Sequence, residues 1–266
     1  MKLTIPKNRP LIMGILNFTP DSFSDGGQFN SIEKAKKKVK EMEKEGADII
    51  DIGGESTGPG SKNVKLEEEL NRVIPIIKEL RKTTTLPISI DTYKAEIADQ
   101  ALQSGAKIIN DVTGLRGDKE MVNIAKKHRC PIIIMYAKDK TARTSKTAKR
   151  YQDVMKTIGI FLEKQIKYAT ENGIKKENII LDPGMGVFIS TIPKYSYEII
   201  DRLSELKKLK QSILVGISRK SFLGGKLAGR DLKAMPISAI AYLNGASIIR
   251  THDVKGTMET FKHLKK

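Results

Sequence analysis

Polar and ionisable side chains recur along the 266-residue sequence, each closing a short apolar run: Asn17, Glu55 and Thr57, Asp91, Asn110 and Asp111, Tyr136, Asp182, Arg219 and Lys220, then Arg250 and His252. Asp91, Asp182 and the amide of Asn110 offer acceptors, and an ionised carboxylate can only accept. They suit the edge of a flat ring rich in N–H donors, guanine-like or pterin-like, with Lys220 donating to its carbonyl or ring nitrogen. Asn17, Arg250 and His252 combine a neutral oxygen ligand, a fork-shaped cation and an imidazole. That grouping suits a diphosphate whose Mg²⁺ is held mainly by phosphate and water. Taken singly, Asp, Asn and Thr at such positions cap helices or make Asx turns, and Arg or Lys pairs with a neighbouring carboxylate. Caps need no guanidinium or imidazole, so the set as a whole points to one pocket.

The elements that must position these residues follow from periodicity. Eight apolar, β-branched runs occupy 11–17, 47–54, 87–92, 107–114, 131–136, 179–185, 212–218 and 246–252. Amphipathic stretches at 32–45, 67–82, 95–104, 119–127 and 197–209 separate several of them. Continuous apolar strands alternating with helices imply parallel βαβ units, and eight such units predict a closed (β/α)8 TIM barrel in a single domain, 1–266. A doubly wound open sheet is the competitor, but no GxGxxG follows the first strand. Barrel enzymes place their chemistry on the loops after the strands, where these polar residues fall. The longest crossover, 137–178, opens with a basic polar tract expected to be a mobile loop, then a helix over about 151–172.

Composition bounds the rest. Hydrophobic residues at 39% leave enough apolar matter for a core and exclude disorder as the main state. No apolar run approaches a membrane span and the first residues lack a signal-peptide pattern, so the expectation is a cytoplasmic protein with no membrane partner. The lone Cys130 reads as core. A net charge of +17 favours anionic partners, yet the lysines are dispersed and aromatics amount to only 5%, so no nucleic-acid partner is expected. Asp25-Gly26-Gly27 and Gly58-Pro59-Gly60 read as loops covering the mouth. Gly216, Gly224 and Gly225 flank Ser218 to Ser221, where a strand is expected to pass into a helix whose free N–H groups attract an anion. No GxxxxGK[ST] occurs, which excludes a Walker site.

Several ordered blocks carry a resemblance: MGILNFTPDSFSDGG (13–27), DIGGEST (51–57), IDTYK (90–94), INDVTG (109–114), LDPGMG (181–186), VGISRKSFLG (215–224) and RTHDV (250–254). Together they resemble the dihydropteroate synthases along almost the whole chain. The resemblance implies a transferase of folate biosynthesis that joins (7,8-dihydropterin-6-yl)methyl diphosphate to p-aminobenzoate, releasing diphosphate, with Mg²⁺ as cofactor and a homodimer as assembly. It also implies that Asp91, Asn110, Asp182 and Lys220 grip the pterin, while Asn17, Arg250 and His252 hold the diphosphate and its Mg²⁺. Thr57, with Asp21, Ser22, Phe23 and Asp25 of the first loop, would close over the site. Ser221 would receive the carboxylate of p-aminobenzoate.

Three blocks depart from the family pattern. The usual ESTRPG reads Glu55-Ser56-Thr57-Gly58-Pro59-Gly60, losing a basic anion contact for which Lys62 is the expected substitute. Met135-Tyr136-Ala137 replaces Met-His-Met, and the DPG-x-GFGK block becomes Asp182 to Ser190, placing Phe188 where it would pack against the aryl ring. A divergent synthase using another arylamine therefore stays open, as do a pterin-binding methyltransferase-type barrel and a non-catalytic pterin-binding module. Diphosphate release dependent on both substrates separates the first reading from a module that binds pterin without turnover. Nucleic-acid binding would instead show strong salt dependence that survives mutation of Asp91. Apolar helix faces around 237–242 and 258–264 are candidates for a dimer contact or for the seam against the barrel.

Overall fold

A computed structural model describes the backbone of residues 3–18, 27–262 and 264, and the side chains of all of these except 27–31. Eight parallel strands close in sequence order: β1 (Leu11–Asn17), β2 (Ile49–Gly53), β3 (Ile88–Asp91), β4 (Ile108–Asp111), β5 (Ile132–Met135), β6 (Ile179–Asp182), β7 (Ser212–Val215) and β8 (Ile248–Thr251). Helices follow them in turn: α1 (Gly27–Lys44), α2 (Leu66–Leu80), α3 (Ala95–Gln103), α4 (Met121–His128), α5 (Val154–Glu171), α6 (Lys194–Asp201), α7 (Arg230–Leu243) and α8 (Val254–Lys262). This is the (β/α)8 barrel expected from the sequence. No helix among the described residues is long and apolar enough to cross a membrane.

Strand periodicity decides what enters the barrel. Leu11, Met13, Ile49, Ile108, Ile133, Ile180, Leu214 and Ile248 form a separate apolar cluster inside it, with Leu3 and Ile5 packed on it. Ser89 of β3 lies level with Ile108 in the same layer. Because side chains alternate between faces, residues two positions further on point inward again, one layer nearer the carboxyl ends. Those are Ile15 then Asn17, Asp91, Asn110, Met135, Asp182 and Arg250, with the inward-facing Asp51 lower, level with Ser89. The opposite parity packs outward against the helices in the larger core, including Ile50, Ile90, Ile109, Ile134 and Leu181.

Parity also separates two strand-end residues from the mouth. Asp111 turns outward, accepting from Thr113 N at 2.8 Å, Thr113 Oγ1 at 2.6 Å and Leu115 N at 2.7 Å. Tyr136 is buried, with its ring 5.2 Å from Phe161 of α5.

Two local expectations change. The amphipathic stretch 197–209 is not one helix: α6 ends at Asp201 and a 3-10 segment, Leu203–Leu209, follows. Asn244 Nδ2 donates to the carbonyls of Ile200 at 2.8 Å and Asp201 at 3.1 Å, satisfying acceptors that a continuing helix would have used. The basic tract after β5 is irregular but anchored. Lys138 Nζ, almost fully buried, donates to Asp139, Thr144, Ser145 and Val187. Cys130 is buried and its thiol is pushed up to about 11 by burial, so it is core.

Asp111→Ala would leave three buried donors unpaired. It is expected to destabilise the fold by about 2–4 kcal/mol in urea denaturation while leaving ligand affinity of the folded protein intact.

Candidate active site

Arg250, rising inward from β8, is the hub of the mouth. Its Nε donates to Asp51 Oδ2 at 2.6 Å and its Nη2 to Asp91 Oδ2 at 2.8 Å. Asn110 Nδ2 donates to the same Asp51 oxygen at 3.0 Å. The Asn110 amide is thereby oriented with its oxygen left to accept, as the sequence reading requires. Asp51 itself was not among the expected site residues. It is fully buried one layer below the mouth, and its inward parity after Ile49 was the available signal. Gly53 lies between β1 and β3: a Cβ there would be in ordinary contact, 3.6 Å from Asp91 Cβ and 3.8 Å from both Asn17 Oδ1 and Asp91 Oδ2.

Across the barrel, Asp182 is buried at the end of β6, and Gly184 N donates to its Oδ1 at 2.7 Å. Gly184 adopts φ +73°, and a Cβ would collide with the Tyr136 carbonyl oxygen, so this turn requires glycine. Lys220 faces the same space, its Nζ 4.6 Å from the centre of the Phe188 ring. Phe188, Val112, Met135, Ala137 and Ala142 form a small apolar cluster beside these polar groups. A flat ring with a polar edge has both surfaces available here.

Burial sets the charges. It pushes Asp182 up to about 6, against the backbone N–H of Gly184 and the attraction of Lys220 and Arg250. Asp91 is also raised by burial and by Asp51 and Glu69, with Arg250 and Lys220 opposing. Burial and Arg250 lower Lys220 to about 8, although Asp182 and Asp91 favour its charged form.

At the end of β8, His252 Nδ1 lies 2.9 Å from Ser218 Oγ, which in turn lies 2.6 Å from Asp231 Oδ1. Burial, then Arg219 and Arg250, push His252 down to about 3, so the ring is neutral in the ligand-free barrel. Arg219 takes φ +60°, which sends its own side chain out to Asp231 at 2.8 Å while Lys220 turns in. Ser221 is exposed and opens only the three-residue 3-10 segment Ser221–Leu223. The helix expected there does not form, because Gly224 and Gly225 both have positive φ and turn the chain away. Any anion contact at Ser221 must come from its hydroxyl and local N–H groups, without a helix dipole.

Loop contacts complete the rim. Thr57 is half-buried and its carbonyl accepts from Thr144 N at 3.3 Å. Glu55 is spent on Lys94, at 2.8 Å, and on Arg143. Lys62, the expected substitute cation, is exposed and contributes its carbonyl to Arg143 Nη2 at 3.1 Å. The guanidinium at this loop therefore comes from Arg143 of the tract after β5, a contact across 81 residues that no local motif announces. Asp21, Ser22, Phe23 and Asp25 lie outside the described residues.

A family profile described as "Pterin binding enzyme" matches residues 13–252. The chain is 49% identical over 251 residues to the dihydropteroate synthase of Clostridium beijerinckii, covering 92% of this chain and 90% of that one. The chain belongs to the dihydropteroate synthase family. Its barrel is similar to Clostridium difficile dihydropteroate synthase crystallised with pteroic acid, at TM-score 0.89 and 42% identity over 98% of this chain and 97% of that one. A Xanthomonas albilineans dihydropteroate synthase with 4-aminobenzoic acid gives 0.88 and 37%, over 96% and 91%. These likenesses count against the methyltransferase-type and non-catalytic readings.

The charges predict a bell-shaped pH dependence of pterin affinity. Asp182 must be ionised to accept from ring N–H groups, so affinity falls as pH drops through about 6. Lys220 must be charged to donate fully, so affinity falls again as pH rises through about 8. Fluorescence titration with a pterin across this range checks it, and a flat profile removes both groups from the ring contact.

Proposed function

We propose that this mouth carries out the dihydropteroate synthase reaction with the residues divided between a ring subsite and an anion subsite. The chain is a transferase of folate biosynthesis, condensing (7,8-dihydropterin-6-yl)methyl diphosphate with p-aminobenzoate to give 7,8-dihydropteroate and diphosphate. The observation that carries the division of labour is the Arg250–Asp91 contact at 2.8 Å, where cation and acceptor meet at the junction of the two subsites.

Asp182 and the free oxygen of Asn110 accept from ring N–H donors, and Lys220 donates to the ring carbonyl or nitrogen. Arg250 still has Nη1 without a partner among the described residues, and with His252 and Asn17 it faces the diphosphate. No nucleophile or strong base is required of the protein. The diphosphate departs from a carbon attached to an electron-rich ring, and Asp91 and Asp182 keep negative charge beside the developing cation. Donors aimed at the leaving oxygens are worth a few kcal/mol each in such a site. Thr57 and the tract 138–150 help exclude water until the arylamine attacks, with Ser221 receiving its carboxylate and Phe188 beside its ring.

Among the described residues no group of three or more His, Cys, Asp or Glu forms a metal cage. Asn17 is exposed at the mouth, and no described residue bonds its amide oxygen. That donor set fits Mg²⁺ arriving on the diphosphate, with Asn17 adding one oxygen. The ion would neutralise charge on the departing diphosphate. A second copy of the chain is proposed to pack on α7, where Leu232, Ile240 and Leu243 are 71%, 49% and 45% exposed and fall within one helical stripe.

Diphosphate release should require both substrates and Mg²⁺, and replacing p-aminobenzoate by other arylamines reads out specificity at the altered rim. Asp182→Asn is expected to weaken pterin binding about 10- to 100-fold, the value of hydrogen bonds to a charged acceptor; unchanged affinity removes Asp182 from the site. Sedimentation should show a dimer that the Ile240→Glu, Leu243→Glu double variant converts to a monomer.

A further inference from the structure

The hydrogen-bond chain behind His252 fixes which ring nitrogen carries hydrogen. Asp231, in the first turn of α7, accepts from Arg219 Nε at 2.8 Å and lies 2.6 Å from Ser218 Oγ. Burial opposes its charge, but the hydrogen bonds from Ser218 and Arg219 hold its carboxyl below the ordinary range. An ionised carboxylate only accepts, so the single hydroxyl hydrogen of Ser218 is committed to Asp231. The same Ser218 oxygen already receives the backbone N–H of His252 at 3.2 Å. His252 Nδ1, 2.9 Å from that oxygen, must therefore be the donor. The neutral ring is the Nδ1–H tautomer, and its Nε2 presents a bare lone pair with no donor among the described residues.

We infer that seating the substrate's diphosphate against His252 requires uptake of one proton at Nε2, and that Ser218 and Asp231 are the positioning residues that make this the protonation site. The inference rests on the proposed placement of the diphosphate beside His252. A fully ionised diphosphate oxygen has no hydrogen to offer, so the bare Nε2 and that oxygen repel until a proton lies between them. Once it does, the imidazolium is tied through Ser218 to a carboxylate. The charged groups facing the ring are Arg219 and Lys220 from the loop after β7, Arg250 from β8 and Asp231 from α7. Burial first, then the three cations, keep the empty ring neutral against the pull of Asp231, and an incoming anion adds attraction for the proton. His252 thus adds positive charge to the mouth only when there is diphosphate to hold.

The test is calorimetry at pH 8 and constant Mg²⁺ in two buffers of unlike ionisation enthalpy. The probes are (7,8-dihydropterin-6-yl)methyl diphosphate and the corresponding hydroxymethyl dihydropterin, which lacks the anion. The full-length protein should take up about one more proton with the first probe than with the second, a difference that disappears in His252→Gln. Nitrogen-15 resonances of His252 should show hydrogen on Nδ1 alone in the free protein and on both nitrogens in the complex. Asp231→Asn should weaken the diphosphate probe about 10-fold at pH 8 and leave the hydroxymethyl probe unchanged. If His252→Gln leaves diphosphate affinity unchanged, the placement of the anion is wrong and the inference goes with it. If His252→Gln weakens binding while the wild type shows no differential proton uptake, the placement stands and the proton inference is overturned, Nε2 then accepting from a water on the anion. A free ring protonated on Nε2 alone would overturn it as well.

Discussion

The site depends on one fully buried carboxylate. Asp51 sits below the mouth on β2 and holds Arg250 from β8 and Asn110 from β4 on a single oxygen. Burying a carboxylate is costly unless it is paired and hydrogen-bonded, and here the pairing also determines the directions of its partners. With Nε of Arg250 fixed on Asp51 and Nη2 on Asp91, the guanidinium has one edge left for a ligand. With its nitrogen held on Asp51, the Asn110 amide is oriented so that its oxygen is left to accept from one. A single buried charge thus sets the polarity of both proposed subsites.

The same low dielectric that makes this pairing strong makes the mouth sensitive to ionisation. Asp91 and Asp182 are raised, Lys220 is lowered and His252 is kept neutral, all by burial before any other cause. The ligand-free barrel therefore carries less charge at its mouth than its residue types suggest. On the proposed placement, a substrate with its own ring donors and its own anion would restore those charges and couple recognition to ionisation. This matches a reaction in which charge separates between a departing anion and a ring-stabilised cation.

Around this centre the loops act as braces. The tract after β5 reads from its composition as a free basic segment, yet Lys138 pins it to the loop after β6 and Arg143 pins it to Glu55 in the loop after β2. Arg143 brings a guanidinium to the loop whose own arginine position is Gly58. A charge missing from one segment of sequence is thus present in the same region of space, carried by another segment.

Alternation along each strand made much of the site legible. Asp91, Asn110, Asp182 and Arg250 share the inward parity of the barrel's apolar layer, and eight apolar runs separated by amphipathic ones implied a closed parallel barrel. Parity also marks Asp111 and Tyr136 as outward, which residue type alone did not. What lies in local order along the chain, strand period, turn glycines such as Gly184 and the order of the motif blocks, was determined by the sequence itself. Tertiary structure decided what depends on distance between segments: the Asp51–Arg250 pair 199 residues apart, the Ser218–His252 contact and the reach of Arg143. It also decided which groups keep their charge, because desolvation is set by everything packed around a residue and leaves no trace in its immediate neighbours along the chain.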